Sequence, residues 1–505
     1  MAAPAPTLVG VDHPARLLHE TQSLCKVCKN AVPAQVFATP GGEVWMHKRC
    51  VTHGEQEARL STDAAWYERT RRIVPIEARP KTVRRPIDLG CPFDCGPCES
   101  HTQRIALPVV TVTSACDLSC PICYVHNKND DAFHMGKEEF AKVLDHLVRE
   151  GGGDLDLVNL TGGEPLLHPH IVDFVEMAQE AGIHRVSICT NGIRLVRDPA
   201  LLARLASLGA RIALSFDSFD READRALQGA ELLDLKLRCL SLLDAQGVDT
   251  TLIPVMTRGY NDHEIGRIIE LGLKLRCVRH LEVHTITYTG QGGVDFDRKG
   301  RISMNEVLER IEETTSGLLR ASDFVPSPRA HPLCYQIAYL LLDDEGGPPV
   351  PFARFLDAET MVACLGEHLY LEPTARLERA MQDAIDQLWA REDPAEERTL
   401  RLLSNLLRKL FPSGKPLPPA EALRVAEEAA KAVYVHSHMD EETFDVERAY
   451  QCCDSNCYAD GSSIPVCNYN VLYRDKEPRF MTAPRAWNER AGGQRSLPLL
   501  QARRG

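Results

Sequence analysis

Residues 107–127 read LPVVTVTSACDLSCPICYVHN. A short β-branched, apolar run delivers Cys116, Cys120 and Cys123 onto one loop. The run has the composition of a buried strand, and the three thiols fall within eight positions. A disulfide uses two thiols, and a structural zinc site takes four ligands in paired sets. Three thiols on one loop therefore leave one corner of a metal centre open.

Outward from this stretch, strands alternate with helices from about 108 to 290. Phe140, Val143, Leu144 and Leu147 recur at i, i+3, i+4 and i+7, the stripe of an amphipathic helix that stops at Gly151, Gly152 and Gly153. LDLVNL, HRVSICT, RIALSF, TTLIPVMT and HLEVHTIT follow as strands, separated by helical segments. About six βα units predict a parallel sheet. Eight would close a full barrel, so the predicted fold is α/β, a partial (β/α)6 TIM-like barrel. Sites in such sheets lie at the carboxyl ends of the strands. The cysteine loop, TGGEP at 161–165, TNG at 190–192 and SFDS at 215–218 all occupy those ends.

The chain of 505 residues divides into a cysteine-rich N-terminal region (1–107), the barrel (108–290) and a helical C-terminal region with a cysteine-rich tail (291–505). A net charge of −13 argues against a sequence-independent grip on nucleic acid. The opening MAAPAPTLVG has no basic, apolar leader pattern, and no 18-residue apolar run occurs. A cytoplasmic chain, or one peripheral at a membrane surface, is the expectation, with its 18 cysteines reduced. Clustered reduced thiols bind metal. Cys25 and Cys28, then Cys50 with His53 or another cysteine, form two pairs across a hairpin, as in a mononuclear Zn or rubredoxin-like Fe site. Cys91, Cys95 and Cys98 offer three thiolates to an auxiliary 4Fe–4S cluster. The tail offers Cys452, Cys453, Cys457 and Cys467, its adjacent pair suited to different centres, and Cys334 is a spare ligand. Cys189, Cys239, Cys277 and Cys364 are expected as small apolar core residues. Residues 376–411 read as two amphipathic helices and 420–433 as another; they either pack on the core or line a tunnel.

A 4Fe–4S cluster takes four thiolates; the C-x3-C-x2-C loop supplies three and leaves one iron free. With GGEP downstream, this loop resembles the radical S-adenosylmethionine (SAM) enzymes. That resemblance implies cluster ligation by Cys116, Cys120 and Cys123. It also implies SAM contacts at Gly162, Gly163 and Glu164, with Asn191, Ser215 and Asp217 as further candidates by position. Radical chemistry on SAM and a reduced ferredoxin or flavodoxin as electron donor follow from it. The order of cysteine motifs from about 25 to 470 is similar to the tetraether lipid synthase subfamily, some of whose members were earlier described as pterin methylating enzymes. It implies one or two auxiliary 4Fe–4S clusters and C–C bond formation between lipid alkyl chains drawn from a membrane. The alternatives are radical SAM methylation or modification of a pterin-like heterocycle, and a non-enzymatic zinc scaffold. A long apolar tunnel would favour lipid, and a compact polar pocket the heterocycle.

Overall fold

The computed structural model describes residues 15–480 except 83–86, 97, 152–154, 156, 297, 299–300, 367–370, 372, 395, 413–416 and 478. The opening MAAPAPTLVG, the glycines at 152–153 and part of the linker at 411–420 lie outside the described residues. Four antiparallel strands, β1 (Arg16–Leu24), β2 (Ala31–Ala38), β3 (Val44–Cys50) and β4 (Gly54–Ser61), form an N-terminal sheet in sequential order.

The barrel strands are β5 (Leu107–Thr113), β6 (Leu157–Gly162), β7 (Arg185–Thr190), β8 (Arg211–Ser215), β9 (Thr250–Ile253), its short continuation β10 (Val255–Met256), and β11 (Val278–Thr285). β5, β6, β7, β8, β9 and β11 pair in that order, all parallel. The alternation read in the sequence is therefore the six-stranded part of the sheet. Helix Lys137–Gly151 buries Phe140, Val143, Leu144 and Leu147 against it. Each of those side chains contributes about 1.5–3 kcal/mol.

The sheet does not end at 290. After the two-residue β12 (Val325–Pro326), β13 (Tyr335–Leu341) and β14 (Val350–Pro351), strand β15 (Ala430–His436) runs parallel to β11. Then β16 (Asp454–Cys457) runs parallel to β5 at the opposite edge, with β17 (Ser463–Pro465) antiparallel outside it. Eight parallel strands thus curve around one lumen, six from the central region and two from the C-terminal region. The edges meet through side chains: Tyr335 stacks on His436 and hydrogen bonds Asp454, whose Oδ2 is 3.6 Å from His436 Nε2.

The expected helix at 420–433 is helix Pro419–Ala429 followed directly by β15. The AAKAVYV sequence continues a helical apolar period, but Val433, Tyr434 and Val435 favour a pleated, buried strand and complete the sheet beside β11. Helices Ala375–Arg391 and Glu397–Leu410 form their own apolar core with β13 and the 3-10 turn Phe352–Arg354. They pack there, and none of their described residues lines the barrel lumen. No helix among the described residues is long and apolar enough to cross a membrane.

Candidate active site and metal centres

A cavity of about 280 Å³ fills the barrel lumen. Val109, Asn159, Cys189, Ser215, Ile253, Glu282, His436 and Asn456, one from each of the eight parallel strands, line it together with Cys116, Cys120 and Cys123. The alternation of a strand turns every second residue inward, so the wall is set by period-2 positions.

The cysteine loop is fastened at several points. Cys116 N–H donates to Asn129 Oδ1 (2.9 Å), Ile122 N–H to Leu227 O (3.1 Å) and Gly292 N–H to Cys123 O (2.8 Å). The GGEP turn closes against its root: Gly163 N–H reaches Thr113 O (2.9 Å) and Glu164 N–H reaches Ala115 O (2.7 Å). Gly162 has φ +142°, and a Cβ there would lie 2.1 Å from Thr113 O. Only glycine permits this approach. Burial pushes the Cys116 thiol up to about 12 and also raises Cys120 and Cys123. Such thiols stay protonated until a metal displaces the protons. Three of them converging beside a glycine cradle fit an iron–sulfur cluster with an open corner.

Both oxygens of Glu164 are used by the protein: Oε1 accepts from Leu166 N–H (3.0 Å) and Oε2 from Asn191 N–H (2.8 Å). Burial holds its carboxyl up near 7, against these donors. Asn191 Nδ2 donates to Asp117 Oδ1 (2.7 Å) inside the cysteine loop. Ser215 receives Lys236 Nζ at Oγ (3.0 Å). Asp217 accepts Val255 N–H (2.8 Å) and the Gln228 amide, while Gln228 Oε1 sits 3.5 Å from Cys120 Sγ. Glu164, Asn191 and Asp217 therefore lie at the site as struts between strand ends. We expect Glu164→Gln to turn one acceptor into a donor against a backbone N–H. An unpaired buried group costs about 1–3 kcal/mol, so equilibrium SAM binding to cluster-loaded protein should weaken about tenfold.

At the N-terminal sheet, Cys25, Cys28, Cys50 and His53 converge, their ligand atoms all within 4.8 Å. His53 Nδ1 is 3.5 Å from both Cys25 and Cys50 Sγ. Burial opposes ionisation of Cys25, but donors from Cys28, Gln56 and Val27 hold its thiol down to about 6; burial pushes Cys28 up to about 11. Three thiols and an imidazole fit a tetrahedral metal, and His53 takes the position left open between it and another cysteine.

Cys91, Cys95 and Cys98 face one another near Asn468, which donates to Cys95 Sγ at 3.0 Å. Asp94 pins their loop by accepting three consecutive N–H groups from Asp88, Leu89 and Gly90. A second group gathers Cys334, Cys452, Cys453 and Cys467 closely enough to act on one another's charge. Buried Arg448 lies beside it, Nε 3.4 Å from Cys334 Sγ. Cys457 stands apart. Its thiol meets Ser455 O at 3.3 Å and packs in the barrel core, because it ends β16 on the barrel's apolar side. Cys452→Ser should lower bound iron and sulfide in reconstituted protein, whereas Cys457→Ser should leave both unchanged. Cys239 and Cys277 lie in the barrel core and Cys364 in the helical core, as expected. Cys189 instead faces the lumen and donates to Asn159 Oδ1 (3.1 Å).

The sequence reading missed Glu282, His284, His436, His438 and Asp454, which form a polar arc of the lumen wall. The signal was there: His280, Glu282 and His284 alternate with the apolar Leu281 and Val283 in β11.

Residues 110–272 match the radical SAM superfamily and residues 17–62 the HMPTM N-terminal zinc ribbon domain. The chain is 26% identical to a 7,8-dihydro-6-hydroxymethylpterin dimethyltransferase of Methanocaldococcus jannaschii, over 94% of this chain and 98% of that protein. It is 28% identical to a GTP 3′,8-cyclase of Synechocystis, over 46% of this chain and 68% of that one. Among solved structures, Streptococcus suis SuiB bound to S-adenosylmethionine aligns over 42% of this chain and 47% of that one, at 16% identity and a TM-score of 0.34.

Proposed function

Because residues 110–272 place this chain in the radical SAM superfamily, we propose that it modifies a small polar heterocycle of the reduced-pterin type, with methylation as the reaction. The observation carrying this reading is the polar arc of the lumen wall, formed by Asn159, Glu282, His284, His436 and Asp454. A heterocycle rich in N–H and C=O groups can answer those side chains. Alkyl chains would take this polar wall out of water and offer it no hydrogen-bond partner in return. Of the two roles open to the helices after 376, packing or lining a tunnel, the helices at 375–391 and 397–410 take the first and form a separate core. The relative in Methanocaldococcus jannaschii, similar along nearly the whole chain, carries a pterin in its name.

A cluster held by Cys116, Cys120 and Cys123 supplies, when bound, the electron that cleaves SAM. The chain's own residues bind and orient. Gly162 and Gly163 let the backbone close on the methionine end of SAM. Glu164 and Asn191 lock the β6 and β7 loops to the cysteine loop, and the barrel wall excludes bulk water. Cys91, Cys95 and Cys98, and the group around Cys334, Cys452, Cys453 and Cys467, are proposed to hold auxiliary clusters. Cys25, Cys28, Cys50 and His53 are proposed to hold zinc in a structural ribbon, with a ferredoxin or flavodoxin as the external electron source. The test is anaerobic incubation of reconstituted protein with a reductant, either reduced hydroxymethylpterin or archaeal diether lipid, and excess SAM. One equivalent of SAM supplies the radical and leaves as methionine and 5′-deoxyadenosine; a second donates the methyl and leaves as S-adenosylhomocysteine. Methyl gain on the pterin supports the reading; coupling of the lipid chains with an untouched pterin overturns it.

A further inference from the structure

We propose that Glu282, His284, His436 and His438 form a binding site for a divalent first-row transition cation in the barrel lumen. Glu282 and His284 come from β11 and His436 from the adjacent parallel β15, where His284 and His436 are register partners. Residue 438 lies just past the end of that strand. The imidazole ligand atoms of the three histidines all fall within 4.8 Å of one another. Glu282 Oε1 stands 3.2 Å from His284 Nε2 and 3.4 Å from His436 Nδ1. Donor atoms around a tetrahedral ion with bonds near 2.1 Å are separated by about 3.4 Å, so these atoms already have the spacing of a shared coordination sphere.

A plain histidine–carboxylate network would place N–H groups on that oxygen. Yet His284 Nε2 and His436 Nδ1 are both buried and neither makes a hydrogen bond. Both atoms instead converge with Glu282 Oε1 on one point. The remaining ring atoms look outward to partners of the kind that orient metal ligands. His436 Nε2 is 3.6 Å from Asp454 Oδ2, and His438 Nδ1 is 3.7 Å from Cys467 Sγ. Tyr335 stacks on His436 with ring centroids 3.8 Å apart and fixes its plane. Imidazole with one carboxylate suits Zn²⁺ or Fe²⁺ rather than Mg²⁺ or Ca²⁺. All four residues line the same cavity as the C-x3-C-x2-C loop, so the ion would stand where a substrate heteroatom could complete its shell.

The site is read from metal content, without substrate, and so stands or falls separately from the proposed reaction. Full-length, cluster-loaded protein is incubated with Zn²⁺, desalted and analysed for zinc, iron and sulfide. Wild type should retain two zinc ions per chain. Cys28→Ser should lose the one at the N-terminal ribbon, His284→Ala and His436→Ala should each lose the other, and iron and sulfide should be unchanged in all three. Should the alanine variants fail to fold, the near-isosteric Glu282→Gln should still weaken retention of the lumen ion at least tenfold. Retention of a single zinc by wild type, or survival of the second ion in the histidine and Glu282 variants, would overturn the proposal.

Discussion

Alanine at Cys116, Cys120 or Cys123 is expected to reduce SAM cleavage to background in each case, while iron at the other cysteine groups remains. Three thiolates are the minimum that holds a cluster with one iron free, so no single member is dispensable. The structure also separates this loop from the other thiols: it is fastened to β5, β6 and the Leu227 carbonyl, whereas the C-terminal group is built around Arg448. Substitution should therefore remove one cluster's worth of iron without unfolding the barrel. Anaerobic iron and sulfide analysis with quantification of 5′-deoxyadenosine checks both halves. Cleavage at wild-type rate in any one variant would show that this loop is not the ligand set.

Gly163→Ala should be nearly as damaging, though it removes no functional group. A Cβ there would sit 2.2 Å from Ala115 O, 2.7 Å from Ala115 C and 2.9 Å from Ser114 O. All three are backbone atoms at the root of the cysteine loop, and no rotamer change relieves them. The loop or the turn must shift by roughly 1 Å, and misplacement of that size costs about 100-fold in rate. Gly136→Ala, where nothing lies within 4 Å of the new methyl, is the control and should be near neutral. Comparable SAM turnover in the two variants would mean that the close approach at Gly163 has no role in catalysis.

The parts legible in the sequence were those with local signals. Helical stripes such as Phe140–Leu147 and β-branched runs such as VVTVT announce themselves within a window of ten residues. The thiol spacings of Cys116–Cys123 and Cys25–Cys28 do the same. Contributions made at long range were less legible. Strand β15 follows a helix without a break, and its sequence fits either period until β11 is there to pair with it. The lumen arc draws Glu282 and His284 from one strand, His436 from a second more than 150 residues later and Asp454 from a third; no spacing joins them. The fate of Cys457, which points into the core while Cys452 and Cys453 lie by the thiol group, is set by the alternation of β16, whose Asn456 faces the lumen. The lumen itself, with one inward residue from each strand, is a property of all eight strands together.

The most direct measurement is the fate of substrate hydrogen. Cluster-loaded protein is incubated anaerobically with SAM, a reductant and either deuterated reduced pterin or deuterated diether lipid, and 5′-deoxyadenosine is analysed by mass spectrometry. Deuterium entering 5′-deoxyadenosine from the pterin, with none from the lipid, is the predicted result. Deuterium arriving from the lipid alkyl chains and not from the pterin would contradict it.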